Sequence, residues 1–140
     1  MKFNVYNRQK ALPISKASVR RILEALCTFL SIHCEEISIY FVSERKLIQL
    51  HQEFFDDPTP TDCITFPVDA SYLGDIFISP KAALLYDPDS PYEETQLYLV
   101  HGILHLLGYD DLEPKAKRTM RKMEKKCMDH LKRLKLIITP

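Results

Sequence analysis

Two histidines four residues apart, followed by a glycine and then a carboxylate, restrict residues 101–111 more than any other part of this chain is restricted. Residues i and i+4 stand one above the other on a helix, so His101 and His105 can direct their ring nitrogens at one point. Gly108 can take the left-handed backbone that ends a helix without a Cβ penalty. The turn that follows lets Asp111 swing back as a third ligand and leaves a fourth tetrahedral position for water. The spacing reads as one zinc ion per chain with an open corner for chemistry.

A lone histidine on an apolar helix face is ordinarily a hydrogen-bonded core residue. Here the neighbours are Leu97, Leu99, Val100, Ile103, Leu104, Leu106 and Leu107, and burying two imidazoles among them is costly unless something satisfies both. The complete HxxxHxxGxxD spacing favours metal. Zinc peptidases of the HExxHxxGxxH type carry a glutamate after the first histidine as general base, and Gly102 stands there instead. A zinc-dependent peptidase-like hydrolase would need a replacement base. Two histidines and a carboxylate also suit non-haem iron, but no cosubstrate site is evident along the chain.

A chain of 140 residues, 46% of them hydrophobic, can bury about two thirds of its unfolded surface, and we expect one domain over residues 1–140. Cys27, Cys34, Cys63 and Cys127 form no CxxC pair and lie away from the histidines in sequence. They read as reduced thiols of a cytoplasmic protein. With no charged-then-apolar leader and no long apolar run, neither secretion nor membrane insertion is expected.

Zero net charge hides a polarity along the chain. Residues 56–111 carry eleven acidic side chains and one basic, Lys81, whereas residues 115–135 carry ten basic and two acidic, Glu124 and Asp129. The cationic segment is either a solvated helix face or an electrostatic guide for an RNA backbone. In the second case the acidic stretch would confine where a polyanion docks.

Phe3 and Val5 alternate as an opening strand does, and a first helix over about 15–31 presents Val19, Ile22, Leu23, Leu26 and Leu30 on one face. Ile37, Ile39 and Phe41 mark a second strand; Ser43 can cap a helix that buries Leu47, Leu50 and Phe54. Pro58 and Pro60 make 56–60 a loop. Cys63–Pro67 and 73–79 read as two further strands. Ser90, Pro91 and Glu93 open the histidine helix as cap, first helical residue and capping-box partner. Pro114 starts a last helix with Ala116, Met120, Met123, Cys127, Leu131 and Leu134 inward, its methionines serving as packing. Three glycines and no phosphate-cradling loop argue against a nucleotide fold. The order implies an α+β fold, a small mixed sheet flanked by helices, with a zincin-like metal helix.

Residues 101–111 resemble the HGxLHLxGYDH signature of the YbeY family, metal-dependent bacterial endoribonucleases. Thr61-Asp62-Cys63-Ile64-Thr65-Phe66-Pro67 is similar to that family's TDVLSFP segment, and Gly74-Asp75-Ile76-Phe77-Ile78-Ser79 to its GDIxIS strand. The resemblance implies a single-strand-specific endoribonuclease of ribosomal RNA maturation, active at the 3′ end of 16S rRNA and in ribosome quality control. It implies His101, His105 and Asp111 as zinc ligands and catalytic residues. Its partners would be single-stranded RNA, ribosomal RNA, the small ribosomal subunit and ribosome-associated proteins, with no membrane involved.

Two departures bear on that implication. The family's third ligand is usually histidine, and Asp111 replaces it; the added negative charge should leave a bound water less acidic. The family's LNxxYR segment reads Leu50-His51-Gln52-Glu53-Phe54-Phe55, so its RNA-handling arginine is Phe55 here. Either another cation substitutes, from Arg45, Lys46 or the final helix with Lys122, Lys125 and Lys126, or activity differs from that of the family's better-known members; the loss also strengthens a rival reading, a ribosome-assembly factor with a structural metal. Asp62 and Asp75 can accept the outer N–H of a ligating imidazole or be ordinary strand-end aspartates. Asp110 can act as base, orient Asp111 or serve the turn. His33, His51 and His130 lack partner spacing and read as structural or exposed.

Overall fold

The computed structural model describes residues 1–56 and 61–140; Pro58 and Pro60 of the expected loop lie outside the described residues. The elements run β1 (Lys2–Arg8), α1 (Lys16–Phe29), β2 (Glu36–Val42), α2 (Glu44–Phe55), β3 (Cys63–Pro67), β4 (Tyr72–Ile78), α3 (Pro80–Tyr86), α4 (Pro91–Leu106) and α5 (Pro114–Arg133). The strands form one mixed sheet in the order β1-β2-β4-β3. β1, β2 and β4 are parallel, and β3 closes the edge antiparallel to β4. Two parallel pairings need crossovers. α1 supplies the first, while α2 with β3 supplies the second.

Alternation along the strands sends side chains to two different cores. Ile37, Ile39 and Phe41 of β2, with Ile76 and Ile78 of β4, are fully buried against Val19, Ile22, Leu23 and Leu26 of α1 and Leu99, Ile103 and Leu104 of α4. Each such side chain contributes about 1.5–3 kcal/mol by leaving water. The opposite sheet face is smaller: Val42 and Ile64 pack on Leu47 and Leu50 of α2, with Tyr40, Phe66 and Phe77 beside them. On that face Tyr6, Tyr40 and Phe77 stack in a row across three strands, with centroids 4.8 and 4.4 Å apart.

Local signals account for most boundaries. Ser15 and Ser43 accept hydrogen bonds from the backbone N–H of Ser18 and Lys46, as N-caps do. Ser79 caps α3, a helix of seven residues with no sequence expectation behind it. Ser90 precedes Pro91 as expected but makes no side-chain capping bond, so the expected capping box does not form. Instead, its N–H reaches back to Asp87 Oδ1 at 3.2 Å. Phe54 is 59% exposed rather than buried, and Leu134 is 49% exposed because the α5 stripe ends at Leu131. All four cysteines are free thiols. Burial pushes Cys27 and Cys127 up to about 11, which suits packing and not nucleophilic work. No described helix is long and apolar enough to cross a membrane.

Candidate metal centre and its cleft

α4 can lie close to the sheet because its twelfth residue has no side chain. A Cβ on Gly102 would stand 2.8 Å from Ile76 Cγ2 and 3.1 Å from Cys63 Sγ. The residue after the first histidine therefore faces β3 and β4, away from the imidazoles. A glutamate there would enter the core, so the peptidase arrangement with its base at this position is sterically closed.

The helix ends by a complete Schellman motif. Tyr109 N–H donates to Leu104 O and Gly108 N–H to His105 O, both at 3.0 Å, with Gly108 at φ +101°. No atom would crowd a Cβ on Gly108, so glycine is required there by backbone conformation alone. α1 and α5 end with the same bond pattern but use Ser31 and Lys135 at φ 53° and 57°. The turn after Gly108 carries Asp111 back over α4. Asp110 accepts the Leu112 N–H at 3.2 Å, which assigns it to the turn.

His101, His105 and Asp111 converge. The two Nε2 atoms are 2.9 Å apart, and Asp111 Oδ2 lies 3.6 Å from His101 Nε2 and 3.7 Å from His105 Nε2. Ligands at about 2.0–2.1 Å from a tetrahedral ion are separated by about 3.3 Å. The triangle differs from this by a few tenths of an ångström, a shift that side-chain rotation can absorb. The rings stand at 90° to each other, so both present nitrogen lone pairs to one point. Two imidazole nitrogens and a carboxylate oxygen at these distances fit a divalent ion, and these three form the one such group found among the described residues.

Glu124 completes the arrangement from α5. Its Oε2 lies 2.8 Å from His101 Nδ1, so Nδ1–H donates outward and Nε2 keeps a free lone pair toward the centre. In the sequence Glu124 is only an exception in a basic run. Its signal was available: Lys117, Arg121 and Glu124 share one helical stripe, and a carboxylate on such a stripe interrupts the charge for a reason. Burial draws the His101 pKa down, but the hydrogen bond and charge of Glu124, with Asp111 and Asp62, outweigh it and leave the group above its ordinary value. Asp62, at the entrance to β3, is exposed on its outer side, yet partial loss of hydration against the cleft wall shifts it upward, an effect that the charge of His101 only partly offsets.

These groups open into a cleft of about 320 Å³ between α4 and α5, lined by Asp62, Glu94, Tyr98, Lys117 and Arg121 with Tyr86 at the end of α3. Four carboxylates, Asp62, Glu94, Asp111 and Glu124, face two cations there. The metal-free cleft is therefore negative, and a divalent ion would bring it to balance.

Other expected site residues lie elsewhere. Asp75 accepts from Tyr72 Oη at 2.6 Å, on the side of Ser38 and Tyr40, and does not approach the histidines. Arg45, Lys46, Lys122, Lys125 and Lys126 do not line the cleft, and Lys125 pairs with Asp129 at 2.9 Å. The cleft cations are instead Lys117 and Arg121. His130 stacks on Phe29 with centroids 4.1 Å apart, and His51 packs by Phe55 at 5.2 Å; neither lines the cleft.

The model of the family described as Endoribonuclease YbeY matches residues 4–132. The chain is 43% identical to the Endoribonuclease YbeY of Protochlamydia amoebophila, with 96% of each covered, and 40% identical to that of Chlamydia pneumoniae, with 99% of this chain and 96% of that one covered. Among solved structures, the solution structure of TM1509 from Thermotoga maritima superposes with a TM-score of 0.63. It is 25% identical and covers 93% of this chain and 89% of that one.

Proposed function

The chain belongs to the Endoribonuclease YbeY family, and on that premise we propose that it hydrolyses phosphodiester bonds of single-stranded ribosomal RNA at a site built on His101, His105 and Asp111. Its setting is ribosomal RNA maturation and ribosome quality control in the cytoplasm, with the 3′ end of 16S rRNA as substrate region. The small ribosomal subunit and its associated proteins are the partners. The observation that carries this reading is the convergence of two Nε2 atoms and one Asp111 oxygen beside a cleft that also holds Lys117 and Arg121.

His101, His105 and Asp111 would hold one zinc ion, for which two imidazoles and a carboxylate are a suitable donor set. When bound, such an ion supplies Lewis acidity toward a phosphoryl oxygen and toward water. The remaining work falls to the chain. Glu124 keeps the His101 tautomer that points a lone pair inward. Asp62 lies outside the ligand set, feels the charges of both His101 and Asp111, and has a raised proton affinity. It is the group placed to take a proton at its carboxylate as general base. Lys117 and Arg121 offset charge on the phosphate.

Elemental analysis of the purified protein, followed by cleavage of a single-stranded RNA oligonucleotide with and without chelator, tests the proposal. The expected result is one zinc per chain and cleavage that chelation abolishes. Stoichiometric metal with retained ribosomal-subunit binding and no cleavage would assign an assembly role with a structural ion instead.

A further inference from the structure

Two aromatic rings line the cleft; Tyr98 is buried in the core, which leaves Tyr86 as the one without a task. Tyr86 ends α3, is 77% exposed, and stands at the mouth of the space that reaches His101 and Asp111. Across from it on α5, Lys117 and Arg121 are one helical turn apart. Neither forms an ion pair among the described residues, although Glu94 and Glu124 line the same cleft. Two available cations suffice for a phosphate backbone of any kind. A flat ring beside them adds something a duplex cannot use, because a base stacks on a side chain only after leaving its own neighbours and partner. The volume, about 320 Å³, lies at the low end of the range for ligand pockets, about 300–1,000 Å³. It accommodates one nucleotide unit and not a helix.

We propose that this cleft is a subsite for one unpaired nucleotide next to the bond being cut, with its base on Tyr86 and its phosphates on Lys117 and Arg121. The proposal rests on the endoribonuclease reading and adds to it the source of single-strand selectivity. It also locates the positive charge that is missing at Phe55. Both features are particular to side chains at 86, 117 and 121 and are independent of the ligand triad.

The test is binding, read by stopped-flow anisotropy before product accumulates. Zinc-loaded protein is mixed with a labelled single-stranded RNA decamer and, separately, with the same sequence annealed into duplex. Tyr86→Ala should weaken single-strand binding roughly five- to one-hundred-and-fifty-fold and leave duplex binding unchanged, while Tyr86→Phe should bind as the parent does. The double variant Lys117→Gln, Arg121→Gln should flatten the plot of log Kd against log salt by about 1.4, two phosphate contacts at about 0.7 each for a single strand. Unchanged affinity in Tyr86→Ala, equal losses for both RNA forms, or an unaltered salt slope would each overturn the subsite. Chelator-sensitive cleavage by the parent protein is scored separately. Cleavage with parent-like binding in every variant removes the subsite and keeps the function; the predicted binding pattern without cleavage does the reverse.

Discussion

α4 and α5 face each other across one cleft, yet they are written in opposite compositions. From residue 97 to 106 α4 is apolar apart from its two histidines, with Leu99, Val100, Ile103 and Leu104 fully buried, and these two candidate ligands stand out against that background. α5 is polar outside an inward stripe of Met120, Met123, Cys127, Met128 and Leu131, and the carboxylate that faces His101 is one charge among many. The first helix sets where the site is. The second sets the tautomer of one ligand and the sign of the cleft wall. A functional residue is conspicuous where its chemistry is expensive, and hidden where the surrounding chain is already polar.

Substitutions can separate these two contributions. On the α4 side, His105→Ala or Asp111→Ala should lower metal occupancy and reduce RNA cleavage to background while the fold persists, as elemental analysis, an oligonucleotide assay and circular dichroism would report. Asp111→His should retain metal, since a third imidazole is an equally acceptable ligand. Retained metal and activity in Asp111→Ala would break the assignment of the triad. Asp62→Asn should slow turnover by about 10²- to 10⁴-fold with metal content unchanged. On the α5 side, Glu124→Gln should weaken metal binding by about 10- to 100-fold in a competition titration. If Glu124→Gln proves as severe as loss of a ligand, α5 is an equal partner and not a support. Smallest is Gly108→Ala, expected to cost about 1–2 kcal/mol in denaturant unfolding, because the left-handed conformation carries that penalty for a residue with Cβ.

The acidic and basic groups of the site also predict how the metal-free protein responds to pH. A raised His101 pKa gives stability that is fully present below the ordinary 6.5 and is lost as pH rises through the higher folded value. The raised Asp62 value acts in the same direction: the folded state holds that proton more tightly, so stability falls between the ordinary 3.8 and the folded value. At neutral pH the Asp62 charge therefore works against folding. Asp62 is also exposed at its surface, so water screens most of this effect; Asp62→Asn should raise the Tm of the metal-free protein slightly at pH 7 and not at all well below pH 4, a comparison that differential scanning calorimetry can make.

Residues carrying strong local chemistry made their structure legible in advance. Ser15 and Ser43 announced helix starts, Pro91 and Pro114 the first turns of α4 and α5, and Gly108 the end of the ligand helix. The triad followed from spacing alone because 101, 105 and the turn after 108 are close in sequence. What required the folded chain was long-range. Nothing in the alternation of β3 and β4 specified that β4 would insert between β2 and β3. The expected burial of Phe54 and Leu134 failed because one lies in the last turn of α2 and the other just past the end of α5, beyond that helix's last buried residue, Leu131. Asp62 and Asp75 sit in equally suggestive segments, and only the folded chain separates them: Asp62 stands in the bend before β3 and lines the cleft with His101, whereas Asp75 lies within β4 and meets Tyr72. Lys117 and Arg121 could not be told from Lys122, Lys125 and Lys126 until α5 had been rotated against α4.

The contact between Gly102, Ile76 and Cys63 has an evolutionary corollary. Because that point of the helix rests directly on the strands, it acts as a fixed pivot from which both imidazoles are hung. Any larger residue would lift the helix and drag the ligands off target together. A glutamate base at position 102, as in the peptidases, would demand a rebuilt sheet first, whereas changes at 111 or on the facing helix meet no such barrier.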